Sequence, residues 1–131
     1  MPLATIDIPP GTEHVRTARM IVVTAARRSG LTDEIVEDVR LAVGEAVARA
    51  VLRHEAAGRT DSVRVVVRQD QGSFEVDVVD MTGVVDTPDV ESQDDRDLAM
   101  GLIRSIAPEV DQISDQGSST LTLRWGVSEA S

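Results

Sequence analysis

From Ala4 to Ile8 the chain alternates, with Ile6 and Ile8 on one face and Thr5 and Asp7 on the other, which predicts a short half-buried strand. Pro9, Pro10 and Gly11 end it. Val15, Ala18, Val22 and Ala25 then recur at spacings of three and four. They predict an amphipathic helix that starts from a Thr12 cap and stops near Ser29 and Gly30. Thr32 caps a second, longer helix running to about Glu55. Ile35, Val39, Val43, Ala46 and Ala50 keep its period, and Val36, Val47 and Val51 widen the apolar stripe. Glu37, Arg40, Glu45, Arg49 and Arg53 mark the opposite side.

Two alternating runs, Val63 to Arg68 and Phe74 to Val79, read as a hairpin joined through Gln69 to Ser73. Met81 to about Arg96 lacks a period. Between Asp86 and Asp97 six acids stand against one arginine, the pattern of a solvated loop. Leu98 to Ala107 predicts a short helix stopped by Pro108. Val110 to Ser114 and Ser119 to Trp125 are strands around an Asp115-Gln116-Gly117 turn, with Leu121, Leu123 and Trp125 on one face. The tail from Val127 frays. The order β-α-α-β-β-α-β-β predicts an α+β fold in a single domain over residues 1–131. We read it as a two-layer α/β sandwich, a mixed, mostly antiparallel sheet covered on one face by three helices.

Composition narrows the chemistry. The 131 residues carry a net charge of −10, with 13 basic residues, all arginine, against 23 acidic ones. No cysteine leaves no thiolate zinc or iron–sulfur site. No lysine leaves no Schiff base and no phosphate-loop lysine. The acidic balance argues against binding nucleic acid. No apolar run approaches a membrane span, and the N-terminus does not read as a signal peptide, so a cytoplasmic protein without membrane contact is expected. His14 and His54 read as surface residues and no metal site is expected. Met20 and Met100 read as core.

Four segments carry a resemblance. Leu41 to His54 holds Glu45 followed four residues later by Arg49. Val78-Val-Asp80-Met-Thr-Gly83 follows a strand, Leu98-Ala99-Met100-Gly101-Leu102-Ile103-Arg104 accompanies a helix, and Gly117-Ser-Ser-Thr120-Leu-Thr-Leu enters the last strand. In this order they resemble the boxes of the ATPase domain shared by gyrase, heat-shock chaperones and sensor histidine kinases. They are most similar to the anti-sigma factors that act as serine-protein kinases.

That resemblance implies roles. Glu45 stands where the general base does, and Arg49 where an asparagine holds magnesium. Asp80 matches the aspartate that reads the adenine amino group, with Gly83 in its turn. Ala99, Met100, Gly101 and Leu102 fall in the phosphate-binding box, and Thr120 near the nucleotide. ATP and magnesium are the implied cofactors. A sigma factor or a STAS-domain anti-sigma antagonist is the implied partner, and a homodimer the implied assembly.

The residues depart from the pattern where it matters. A guanidinium has no acceptor and cannot ligate magnesium. Glu45 and Arg49 at i and i+4 can pair on one helix face, which would occupy the base. Arg49 could also act as a phosphate counter-charge, or the pair could be an ordinary surface one. Thr82 and Val84 replace two glycines of the second box, and Asp97 at a helix start would repel phosphate. The expectation is an anti-sigma-like regulator that binds protein partners, with nucleotide binding weak or lost. An active serine kinase using Glu45, and a binding module of another class, are the alternatives. The acidic total suggests a basic partner. Whether 81–97 is an ATP lid or a plain connection stays open.

Overall fold

The computed structural model describes residues 2–82, 93–115 and 117–127. Strand β1 covers Pro2–Ile8, helix α1 Val15–Arg28 and helix α2 Asp33–Ala56. They are followed by β2 (Val63–Asp70), β3 (Ser73–Asp80), α3 (Gln93–Ile106), β4 (Glu109–Asp115) and β5 (Ser118–Gly126). The sheet order is β1-β2-β3-β5-β4, and all four pairings are antiparallel. The sheet is therefore purely antiparallel rather than mixed among the described residues.

Alternation sorts the strands into two faces. Ile6, Val65, Val78 and Leu121 lie across from one another in register, as do Val67, Val76 and Leu123, and Phe74 faces Trp125. These residues join Ala18, Val22, Val43, Val47 and Ile103 in one core, so all three helices cover this face. Each fully buried valine contributes about 1.5–3 kcal/mol by leaving water. The central helix α2 is apolar around much of its circumference because it rests on the sheet between α1 and α3. Gly44 leaves room for the Arg19 side chain of α1, since a Cβ there would meet the Arg19 Cδ at 3.2 Å. The other sheet face is polar. Arg68 bonds Asp77 at 2.9 Å, and Arg124 bonds Glu75 at 2.5 Å and Glu109 at 2.6 Å.

Several boundaries differ from expectation. Thr12 caps no helix: Thr12–His14 form a 3-10 turn, and α1 starts at Val15 without a side-chain cap. Thr32 does cap α2, its Oγ1 accepting from the Ile35 N–H at 3.3 Å. The β2–β3 connection is only Gln71 and Gly72, with φ of 33° and 82°, a tight turn with left-handed backbone at both positions. Helix α3 begins at Gln93 rather than Leu98. Asp94 and Asp95, counted as loop by their charge, sit in its first turn, where the helix dipole favours acids. The stretch 83–92, including Gly83, Val84 and three of the six acids between Asp86 and Asp97, lies outside the described residues. Among those described, no helix is long and apolar enough to cross a membrane.

Candidate functional site

At the end of β3, Asp80 faces α2, with α3 and Ser119 of β5 close by. Together they line a cavity of about 210 Å³ with Arg49, Arg53, Arg96, Ala99, Met100 and Gln112. The strand register explains the sheet's share: Asp80 is paired with Ser119, so both project to the helix side.

Asp80 is 3 % exposed, and its oxygens are engaged. Oδ1 accepts from the Thr82 N–H at 2.8 Å and from the Thr82 hydroxyl at 2.6 Å. Oδ2 accepts from the Arg53 Nε at 2.5 Å. A carboxylate offers about four lone-pair sites, so three donors leave little for a ligand. Pairing with Arg53 is what permits so buried a charge.

His54 supports this corner from beneath. It is fully buried, not a surface residue. Its Nδ1 donates to the Asp61 carbonyl at 3.1 Å, and its Nε2 accepts from the Met81 N–H at 3.0 Å. A backbone N–H on Nε2 and a carbonyl on Nδ1 assign a neutral ring with its proton on Nδ1. Beside it, Arg59 binds both oxygens of Asp61 at 2.9 and 2.8 Å. Those hydrogen bonds hold the Asp61 carboxyl below its ordinary value.

The residues singled out by sequence divide into groups. Arg49, Asp80, Ala99 and Met100 meet at the cavity. Arg49 also binds Glu45, Nε to Oε1 at 2.9 Å, the i,i+4 pair that the spacing allows. Glu45 itself lines a separate shallow groove on the outer helix surface, with Arg19, Gly44 and Leu102. Gly101 is exposed and lines neither. Thr120 pairs with Val79 and Ile113 on the polar sheet face, away from the cavity. One residue along, Ser119 takes the place expected of Thr120, because side chains alternate along a strand. Gly83 is outside the described residues. Sequence reasoning missed Arg53, Arg96, Gln112 and Ser119. Ser119 was readable from the parity of Leu121, Leu123 and Trp125, and Arg53 from its position one turn beyond Arg49.

The Histidine kinase-like ATPase domain family matches residues 8–125. The chain belongs to that family. The crystal structure of the RsbU and RsbW domains of Rv1364c from Mycobacterium tuberculosis is similar in fold, with a TM-score of 0.77 at 17 % identity. That match takes in 100 % of this chain but 34 % of that one, so the present chain spans about a third of its length. The SiaB-SiaC complex from Pseudomonas aeruginosa matches with a TM-score of 0.68 at 10 % identity, over 95 % of this chain and 89 % of that one. No curated protein matches the chain.

As a histidine kinase-like ATPase domain, the chain invites a fit test for ATP and magnesium. A magnesium ion needs oxygen ligands. The candidate position holds a guanidinium tied to Glu45, and among the described residues no group of three or more acidic, histidine or cysteine side chains could hold a metal. Adenine needs a free acceptor on Asp80, which Arg53 and Thr82 already use. The cavity is also below the range of about 300–1,000 Å³ common for small-molecule sites. The described residues do not fit magnesium-ATP, and no phosphoryl-transfer step follows from them.

Proposed function

We propose that this chain is a regulatory protein of the anti-sigma type, acting by binding a sigma factor or a STAS-domain antagonist, with nucleotide binding weak or lost. The observation that carries this reading is the pair of arginines engaged inside the site. Arg49 holds the candidate base Glu45, and Arg53 holds the candidate adenine reader Asp80. Both pairs engage within the chain the groups that the resemblance assigns to a nucleotide. Family membership supports the nucleotide-derived ancestry of the cavity. That a structural neighbour, SiaB, was crystallised in a complex with a second protein, SiaC, supports action through a partner.

Calorimetric titration of the chain with ATP and magnesium, carried to millimolar nucleotide, should give no saturable heat. Micromolar binding would overturn the loss of nucleotide. Affinity capture with the tagged chain from its own cell extract, followed by mass spectrometry, should recover a sigma factor or a STAS-domain protein. A dominant partner of neither kind would overturn the regulatory assignment.

A further inference from the structure

Among the described residues, most exposed large apolar side chains lie on helices, including Met20, read from sequence as core but 61 % exposed. On the sheet the most exposed is Ile113 of β4, at 66 %. Every residue of β4 except Val110 is exposed, and β4 is an end strand, paired with β5 alone. In an antiparallel pair every second N–H and C=O of an end strand points away from its partner and stays available. The register runs unbroken from Glu109 to Asp115, with neither a proline nor a bulge. The protection left to this edge is charge.

That charge is of one sign. β4 holds three acids and no base. Side chains alternate, so Glu109, Asp111, Ile113 and Asp115 share the face turned away from the helices, while Gln112 lines the cavity on the other side. On that open face Arg124 reaches Glu75 at 2.5 Å, Glu109 at 2.6 Å and Asp111 at 3.6 Å, one guanidinium among three carboxylates. Arg68 reaches Asp77 at 2.8 Å and Glu75 at 3.8 Å. Two arginines thus serve four acids. Of the four, Glu75 and Asp77 are largely covered, so the excess negative charge meets water at Glu109 and Asp111 on the edge.

We infer that this edge is a docking site for an extended basic segment of a partner protein. The segment adds a sixth strand antiparallel to β4, with basic side chains opposite Glu109, Asp111 and Asp115 and an apolar one opposite Ile113. Antiparallel addition continues the order of the sheet. Backbone hydrogen bonds supply affinity, and the cross-strand pairs on the open face supply selectivity. Charge decides against a second copy in this place. A two-fold axis centred on Gln112 sets Asp115 opposite Glu109, and one centred on Ile113 sets it opposite Asp111, acid against acid in both cases. The edge uses neither of the arginine pairs at the cavity and does not depend on the partner's being a sigma factor.

The test uses the isotope-labelled full chain and three synthetic heptapeptides. The first reads lysine, threonine, valine, threonine, lysine, threonine, lysine, which matches β4 in the antiparallel sense. The second has the reverse order, and the third has glutamate in place of lysine. The first peptide should shift the β4 amides and the Ile113 methyl signals, and slow exchange of the outward β4 amides. Added salt should weaken it. Asp111→Lys should weaken it at least about tenfold through like-charge contact. Ile113→Thr, at an exposed position, should weaken it without disturbing the fold. Equal binding of the reversed or the glutamate peptide, shifts centred elsewhere, or no binding would overturn the proposal. Binding that leaves β4 amide exchange unchanged would also overturn it, since charge alone would then hold the peptide. So would a β4-mediated dimer of the chain that the first peptide dissociates, which would assign the edge to a second copy.

Discussion

The two sides of the central helix α2 treat arginine in opposite ways. Toward the cavity, Arg49 meets Glu45 at 2.9 Å and Arg53 meets Asp80 at 2.5 Å. Toward α1, Arg16, Arg19 and Arg28 have no ion pair among the described residues. Burial is the cause. Asp80 lies where an unpaired carboxylate would be costly, so the fold holds a guanidinium against it. On α1 the charges stay in water, where pairing gains little. Internal pairs engage the charged groups at the cavity, whereas Arg16, Arg19 and Arg28 carry no such pair among the described residues. The net charge of −10 is unevenly spread, since α1 holds four arginines and no acid.

The sharpest way to break this contrast is a matched pair of substitutions. Arg53→Met should lower stability by about 2–4 kcal/mol, because it strips a guanidinium from a buried carboxylate. Arg28→Met should stay within about 0.5 kcal/mol, as ordinary surface changes do. Urea unfolding of both variants measures the difference, and equal losses would erase the distinction between the two sides.

Next in size is His54→Phe. It keeps a flat aromatic ring, slightly larger, and leaves the Met81 N–H and the Asp61 carbonyl without their partner, at a cost of about 1–3 kcal/mol. Faster amide exchange at Met81 than in the parent protein would locate the loss there. Unchanged stability and exchange would show that the imidazole does not hold the end of β3.

The smallest effect concerns the exposed pairs. Hydrogen bonds from Arg64 and Arg59 lower the Asp7 and Asp61 carboxyls below their ordinary value of 3.8. A folded value below the unfolded one means that each pair contributes fully above the unfolded value and loses its contribution as pH falls through the folded one. Melting temperature should therefore hold steady down to the carboxylate range and then decline gently, with added salt flattening the decline. A steep fall at higher pH would point to a different titrating group.

Much of the fold was legible because its signals are strong. Alternation located all five strands, and the valine stripe of α2 located the longest helix. The errors share a physical origin. Asp94 and Asp95 were assigned to a loop for their charge, although the same charge favours a helix start. His54 was assigned to the surface by residue type, although it continues the buried spacing of Val43, Val47 and Ala50. The Glu45–Arg49 pair was readable because both partners lie on one helix. The Arg53–Asp80 pair was not, since it joins α2 to β3 and depends on how helix and sheet dock.

The sheet order also has a consequence in time. β2 with β3, and β4 with β5, close through short turns and can pair as soon as they exist. β1 precedes β2 in the chain, yet Ile8 must wait for Val63, on the far side of two helices. Closing so long a loop is the slow kind of contact to form. During synthesis Pro2–Ile8 therefore remains a loose extended segment until the hairpin it joins has been made. This strand is thus among the last to be fastened, and its amides should be among the first to open in the finished protein.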